Sequence, residues 1–382
     1  MKELLPQINQ LNQVLNHLKN TFVGKDEIID LMGIALVARE NLFMLGPPGT
    51  AKSAMVRSLA KLLTGKTFEY LLTRFTEPNE LFGPFDIRKL REGELLTNTE
   101  GMLPEANLIF LDELLNANSA ILNSLLMVLN ERIFRRGRET KDLPALMIVG
   151  ASNHLPEEDA LQALFDRFLV RVRCDNVAPD LLNQVLDAGW KLEEKEQVEA
   201  PAITAEEIQQ LQELISTVDL SVVRKPYIEL IQQLRNAGVA VSDRRAVKLQ
   251  RLMAASALLC QRQQAILSDT WVIRYIWDTE EQEEVIAGIV NNLVETDNSD
   301  RQHPRASRTN LPDPDEMYKE VNKLTSQWEA TDVTGLERSQ IKDRLRYLNG
   351  RCEWISNEEQ RQYVKEPIEN LWNRILERGE LN

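Results

Sequence analysis

Eight consecutive residues, Gly46, Pro47, Pro48, Gly49, Thr50, Ala51, Lys52 and Ser53, put two glycines, a lysine and a hydroxyl within reach of one another. The apolar run Leu42-Phe43-Met44-Leu45 precedes them and a helical pattern over residues 54–63 follows. A strand, a Gly-rich loop and a helix in that order make a phosphate-binding loop. Its backbone N–H groups turn inward around an anion, and the helix N-terminus adds partial positive charge. In such a loop Lys52 reaches the β- and γ-phosphates of ATP, and Ser53 places its hydroxyl on Mg²⁺. Ala51 stands where a glycine usually precedes the lysine. Alanine suits that position if its backbone stays right-handed, which is the conformation expected here.

A second apolar run, Leu108-Ile109-Phe110-Leu111, ends in Asp112 and Glu113. Continuous apolar runs are the mark of buried parallel strands. Asp112 at the strand end is placed to hold Mg²⁺ through water. Glu113, one residue on and turned elsewhere, is placed to polarise the attacking water as general base. The next helix starts around Asn116, Ala117 and Asn118, so neither carboxylate is needed as its cap. A third run over residues 145–150 leads into Ala151, Ser152 and Asn153, and the Asn153 side chain could orient the lytic water.

These side chains need an α/β frame, and the rest of the chain supplies one. Apolar residues at helical spacing (Leu4, Leu5, Ile8, Leu11, Leu15, Leu18) predict an N-terminal helix over residues 3–20. Residues 82–104 hold two glycine-containing turns with short β-like segments between them. Residues 189–204 shift to Lys, Glu, Ala and Pro and read as an exposed linker. Thr204 and Glu207 then form a capping box, and helical periodicity runs through 222–238 and 244–262 to about 290. Residues 297–316 are polar with three prolines and read as a flexible linker. Amphipathic helices follow over 316–330, 337–348 and 368–377. Trp328, Trp354 and Trp372 gather there, either as the core of a small helical unit or as a docking surface.

The motifs at 46–53 and 108–113, together with Asn130-Glu131-Arg132, Ala151-Ser152-Asn153, Asp166-Arg167-Phe168 and Ser242-Asp243-Arg244-Arg245, occur in the order and spacing of an AAA+ ATPase. The chain resembles the MoxR family and, within it, the RavA type. The segments at 70–78, 120–123 and 151–157 carry that closer likeness, which covers roughly residues 1–290. The resemblance implies an AAA+ α/β core with a parallel sheet over residues 1–178, carrying an insertion near 82–104. A helical lid over 179–290 and a helical C-terminal extension over 291–382 complete the expected domains. It implies that Lys52, Ser53, Asp112 and Glu113 are the Walker residues and Asn153 is sensor 1. Val23 and Gly24 would pack on adenine, and Arg167 would be the arginine finger that enters a neighbour's site. Arg244, or Arg245 beside it, would be the sensor-2 arginine touching the γ-phosphate of its own subunit. A guanidinium supplied in trans is worth about 10³–10⁵ in rate where measured.

The resemblance also implies a ring, with six subunits expected, and a partner carrying a von Willebrand factor A domain. The tail lacks the length for the large β-rich insertion of the full RavA type. Asn130-Glu131-Arg132 closes a helix and reads equally as an intersubunit contact. Thr73, at a strand end, is placed to couple a partner's signal to Glu113.

Charge and cysteine usage narrow the function classes. A formal net charge of −14 over 382 residues argues against a dedicated nucleic-acid binder, whose affinity comes mainly from phosphate neutralisation. The local cluster Arg132, Arg135, Arg136, Arg138 and Lys141 is the exception, and a solvated hairpin balanced by acidic neighbours is the reading favoured for it. Cys174, Cys260 and Cys352 are far apart, as are His17, His154 and His303, which predicts neither disulfides nor a metal site beyond Mg²⁺. No signal peptide or membrane-spanning run stands out, and a cytoplasmic location is expected. The favoured function is ATP-driven remodelling. The alternatives are a nucleotide-gated scaffold and, behind it, a nucleic-acid translocase.

Overall fold

Five of the apolar runs assemble into one parallel sheet in the order β3-β4-β7-β1-β8. The strands are β1 (Leu42–Leu45), β3 (Thr67–Leu71), β4 (Leu108–Asp112), β7 (Met147–Ser152) and β8 (Val170–Arg173). β1 and β7 are buried at every position, as strands covered on both faces must be. All five run the same way, so the sheet has two unlike edges. The exits of β1, β7 and β4 lie side by side at one edge, with Leu45 opposite Ser152 and Leu111 opposite Gly150. The strand starts line the other edge.

This computed structural model describes residues 5–92, 95–136, 139–177, 181–193, 200–297, 299, 301–306, 314–329, 335–352 and 358–379. Contacts divide the chain into two compact units, Met1–Ser307 and Arg308–Asn382.

In the first unit, α1 (Leu5–Thr21) matches the predicted N-terminal helix. The next helix, α2 (Asp26–Ala38), is buried from Ile28 to its end, and α3 (Lys52–Leu62) follows the phosphate loop. Between β3 and β4, α4 (Pro78–Phe82), α5 (Ile87–Arg91) and an isolated antiparallel bridge from Phe85 to Thr97 form the insertion. The expected β-like character there comes down to that bridge. Asn118 caps α6 (Ser119–Glu131) by accepting from the N–H groups of Ala120 and Ile121. A hairpin of β5 (Ile133–Arg136) and β6 (Glu139–Asp142) precedes β7, and α7 (Asp159–Phe165) precedes β8.

After β8 comes α8 (Leu182–Glu193). The short β9 (Ile203–Thr204) then pairs with β2 (Leu63–Thr64) and launches α9 (Ala205–Leu214). Its capping box forms as predicted: Glu207 N–H donates to Thr204 Oγ1 (3.2 Å) and Thr204 N–H to the Glu207 carboxylate (2.8 Å). The lid comprises α10 (Ser221–Asn236), α11 (Asp243–Leu259), a 3₁₀ segment at Leu267–Tyr275 and α12 (Glu280–Val294).

One expectation fails here. Residues 301–306, inside the predicted flexible linker, pack into the first unit: His303 is 5% exposed, Arg305 8% and Ala306 0%. Local polarity suggested solvent, but Arg305 has carboxylate partners, Asp26 and the buried Asp30, that lie far away in sequence.

The second unit is three helices, α13 (Pro314–Glu329), α14 (Gly335–Cys352) and α15 (Glu358–Gly379), around a core that includes Val321, Leu345, Leu348, Val364, Ile368 and Leu371. Its third helix starts ten residues before the predicted 368, because Pro367 sits inside it rather than ahead of it. Trp328 is buried in this core and Trp372 packs at its edge, which favours the helical-unit reading; Trp354 lies outside the described residues.

Candidate nucleotide site and the arginines of the far sheet edge

The phosphate loop leaves β1 against its neighbours. Gly46 N–H donates to Ser152 O (3.1 Å), and Cys174 N–H donates to Leu45 O (2.7 Å). A Cβ on Gly46 would stand 2.2 Å from Cys174 O, so only glycine fits. The Cys174 thiol donates to Thr50 O (3.1 Å), and Thr50 Oγ1 donates to Pro47 O (2.9 Å), tightening the loop from both sides.

Gly49 (φ +84°) and Ala51 (φ +68°, ψ +17°) are both left-handed. The expectation of a right-handed Ala51 is therefore overturned. Successive N–H groups converge on an anion only if the backbone alternates in hand, and the loop imposes that turn on an alanine at about 1–2 kcal/mol. Lys52 is buried, and its ammonium donates to Gly46 O (2.6 Å) and Pro47 O (2.9 Å), inside the loop. Ser53 Oγ donates to Asp112 Oδ2 (2.9 Å), which brings together the hydroxyl and the carboxylate expected to share Mg²⁺. These hard oxygen donors fit a magnesium ion that keeps much of its water, and the inward loop fits a polyphosphate.

Asp112 Oδ1 accepts the N–H of Glu113 (3.0 Å). Glu113 is itself left-handed (φ +50°, ψ +41°), an unfavourable state for a glutamate, and the bend ends the strand at this residue. Asn153 is exposed just past β7, which lies between the loop strand β1 and the carboxylate strand β4. Thr73 follows Leu72, whose N–H donates to Asp112 O (2.9 Å), and its hydroxyl pairs with that of Thr76 (3.1 Å).

Val23 and Gly24 meet the chain emerging from β8. The Lys25 ammonium donates to Asp175 O, and a Cβ on left-handed Gly24 would press on Val177 (3.2 Å) and Leu181 (3.3 Å). These two apolar residues lie against Gly24, which the resemblance would put beside the base. The sequence reading missed them, and nothing in the mixed stretch after β8 singles them out.

Arg167 lies elsewhere. It precedes β8, and its carbonyl accepts from Asn41 Nδ2 (2.8 Å), just before β1 begins. The four-residue β1 separates that point from Gly46 by about 13 Å at roughly 3.3 Å per residue. Arg132 Nη2 donates to Asn41 Oδ1 (2.7 Å), so the arginine that closes α6 braces the segment carrying Arg167.

Arg244 lies at this same far edge. A cavity of about 630 Å³ is lined by Asn130, Arg167, Arg244, Arg245 and Lys248 among others, and no phosphate-loop residue takes part. The start of α11 is held there by Lys248 Nζ on Glu40 (2.8 Å) and Arg251 Nε on Ala38 O (2.9 Å). The sequence reading put Arg244 on its own subunit's γ-phosphate; the geometry groups it with Arg167 instead. Arg245 is engaged by Asp278 (3.2 Å) and by the carbonyls of Ala240 and Ile276. The exposed Arg244 is the one that faces outward.

A family model described as the MoxR domain in MoxR-vWA-beta-propeller ternary systems matches residues 9–213, and a model of an AAA lid domain matches 220–290. The chain belongs to the MoxR family of AAA+ ATPases. Two uncharacterized proteins of Methanocaldococcus jannaschii are similar to this MoxR protein: one is 33% identical over 77% of this chain and 76% of its own, the other 34% over 72% of each. The chaperone MoxR1 of Mycobacterium tuberculosis is 25% identical over 48% of this chain and 49% of its own. A crystal structure of a candidate ATPase from Cytophaga hutchinsonii shares the fold, with a TM-score of 0.63 at 19% identity, covering 78% of this chain and 97% of that one.

The basic cluster of this MoxR protein is largely taken up internally. Burial holds the Arg132 guanidinium down at about 10. Arg136 donates to Gly83 O (2.9 Å) and Asn79 Oδ1 (2.7 Å) and lies over the Phe85 ring. Lys141 faces Glu105 (3.6 Å), whose carboxyl is pulled down to about 2, first by Lys66 and then by Thr99. Arg135 remains exposed, and Arg138 lies outside the described residues. Among the described residues, Arg132, Arg136 and Lys141 thus have partners within the chain. No described helix is long and apolar enough to cross a membrane.

Proposed function

We propose that this MoxR chain assembles into a hexameric ring that hydrolyses ATP at its subunit interfaces and uses the cycle to remodel a protein carrying a von Willebrand factor A domain. The observation that carries the reading is the separation of functional groups between two sheet edges. The phosphate loop, Asp112, Glu113 and Asn153 share the exit edge, whereas Arg167 and Arg244 share the start edge. A single subunit cannot bring both sets to one phosphate, and a head-to-tail neighbour can.

In this reading Lys52 and the loop N–H groups hold the β- and γ-phosphates, and Val23 and Gly24 hold the base. Ser53 and Asp112 hold Mg²⁺, which supplies charge neutralisation on the phosphates. Glu113 takes the proton of the attacking water and Asn153 orients that water. The neighbour's Arg167 and Arg244 stabilise the charge that develops on the transferring group. The partner class is supported by the description of the matched model, which names vWA systems, and chaperone-like action by the likeness to MoxR1.

The test is capture from native extract on the Glu113→Gln variant, with and without ATP, read by mass spectrometry. That variant keeps the phosphate contacts and removes the base, so ATP stays bound. ATP-dependent recovery of a vWA-domain protein is expected. Recovery of self-associated chain alone would favour a nucleotide-gated scaffold.

A further inference from the structure

Residues 301–306 lie beyond both matched family segments, yet they tie the lid to the wall of the nucleotide site. Arg305 Nε donates to Asp30 Oδ2 (3.0 Å) and its Nη2 to Asp26 Oδ2 (2.6 Å), both in the first turns of α2. From the lid side, Arg274 Nη2 donates to Ala306 O (2.9 Å), and the His303 ring stacks on Trp271 at 4.7 Å. Arg305 N–H donates to His303 Nδ1 (3.1 Å), which fixes the turn that aims the guanidinium.

The start of α2 depends on such contacts. No side chain caps it, and Lys25 occupies the cap position. Contacts from outside hold it: the Lys25 ammonium on Asp175 O, Lys19 on Asp30 from α1, Tyr275 on Glu27, and Arg305, which reaches both Asp26 and Asp30. Val23 and Gly24 come directly before this turn.

We propose that Arg305 is a positioning residue for the nucleotide, acting through Asp26 and Asp30 to hold the base-side wall at Val23 and Gly24. The inference rests on the reading that the base lies against those two residues. A charge-assisted pair at a half-buried helix start restrains that turn strongly, whereas the phosphate loop is held by separate contacts from Ser152 and Cys174. The strap therefore governs affinity for the nucleoside part and leaves the polyphosphate cradle alone.

Calorimetric titration of full-length protein with ATP and with inorganic tripolyphosphate, both with Mg²⁺, separates these contributions. In Arg305→Ala, ATP is expected to bind about tenfold more weakly, the order of one lost charge-assisted contact, with tripolyphosphate affinity unchanged. Arg305→Lys should recover part of the loss. Asp26→Asn, a milder change in case Arg305→Ala fails to fold, should show the same ligand-selective pattern at smaller size. Equal weakening for both ligands would mark a merely structural role and overturn the proposal, as would unchanged ATP affinity. A wild-type protein that binds neither ligand would overturn the nucleotide reading itself, and the strap's role with it.

Discussion

Ala51 does at one residue what a glycine would do without strain, and its left-handed backbone is measurable as lost stability. Replacing it with glycine removes about 1–2 kcal/mol of local strain and adds about 0.4–1 kcal/mol of unfolded-state entropy. Ala51→Gly should therefore be stabilising by about 0.5 kcal/mol, with ATP turnover retained. A thermal melt without nucleotide reads it, and a lower midpoint would show that the partly buried Ala51 methyl contributes more packing than its backbone loses. Glu113 shares the left-handed state, but in the proposed reaction its carboxylate is the base, so relief by glycine would remove it. The types and spacing of these residues were legible from the sequence, because phosphate chemistry admits few alternatives to Lys52, Ser53 and Asp112. The hand of the Ala51 backbone was not. It follows from how Gly46 is pressed against Cys174 and how Thr50 is tied down, and those contacts span 124 residues or more of chain.

At the scale of elements, the parallel sheet decides which groups can meet. Once β1 and β8 run side by side, the residues just before β8 lie at the opposite end of the sheet from those just after β1, so in the proposed ring Arg167 serves a neighbour. The sequence suggested that role for Arg167 only through the family resemblance, because the order of apolar runs does not say which strands pair. The position of Arg244 could not be read from that order either, since it depends on α11 docking through Lys248 and Arg251 onto Glu40 and Ala38, more than 200 residues earlier. Mixing experiments separate the two placements. Arg244→Ala alone should bind ATP and turn over slowly, and Lys52→Ala alone should not bind. If Arg244 acts on a neighbour, an equal mixture pairs intact loops with intact arginines at roughly a quarter of its head-to-tail interfaces, and turnover returns to that extent. If Arg244 acted within its own subunit, no interface in the mixture would be complete and turnover would stay at the level of the single variants. Arg167→Ala mixed with Lys52→Ala should recover in the same way, and its failure to do so would remove the trans arginine altogether.

For the whole first unit, two desolvated groups, one buried and one half-buried, set opposite trends of stability with pH. Burial holds His303 at about 4, below its ordinary 6.5, despite Asp30 and Asp269 favouring the cation; Lys19 and Arg305 nearby disfavour it. The unfolded chain takes up that proton first, so the stability that comes from a neutral His303 is complete above about 6.5 and is lost as pH falls towards 4, at about 1.4 kcal/mol per unit. Glu283, desolvated at the start of α12, is pushed up to about 7, with Arg173 opposing and Glu280, Asp175 and Glu284 reinforcing the shift. Here the folded chain takes up the proton first, so stability rises as pH falls from about 7 to 4.5, by a smaller amount because Glu283 is partly exposed to water. The carboxyls held low, such as Glu105 at about 2, act only below this window. Between pH 7 and 4.5 the two trends offset one another, and wild-type stability should change little. His303→Gln leaves Glu283 unopposed and should become more stable on acidification over this range. Glu283→Gln leaves His303 unopposed and should lose roughly 2–3 kcal/mol between pH 6.5 and 4.5. Urea unfolding at pH 7, 5.5 and 4.5 measures both slopes. Parallel curves for the two variants would mean that neither group is held away from its ordinary pKa by burial in the folded chain.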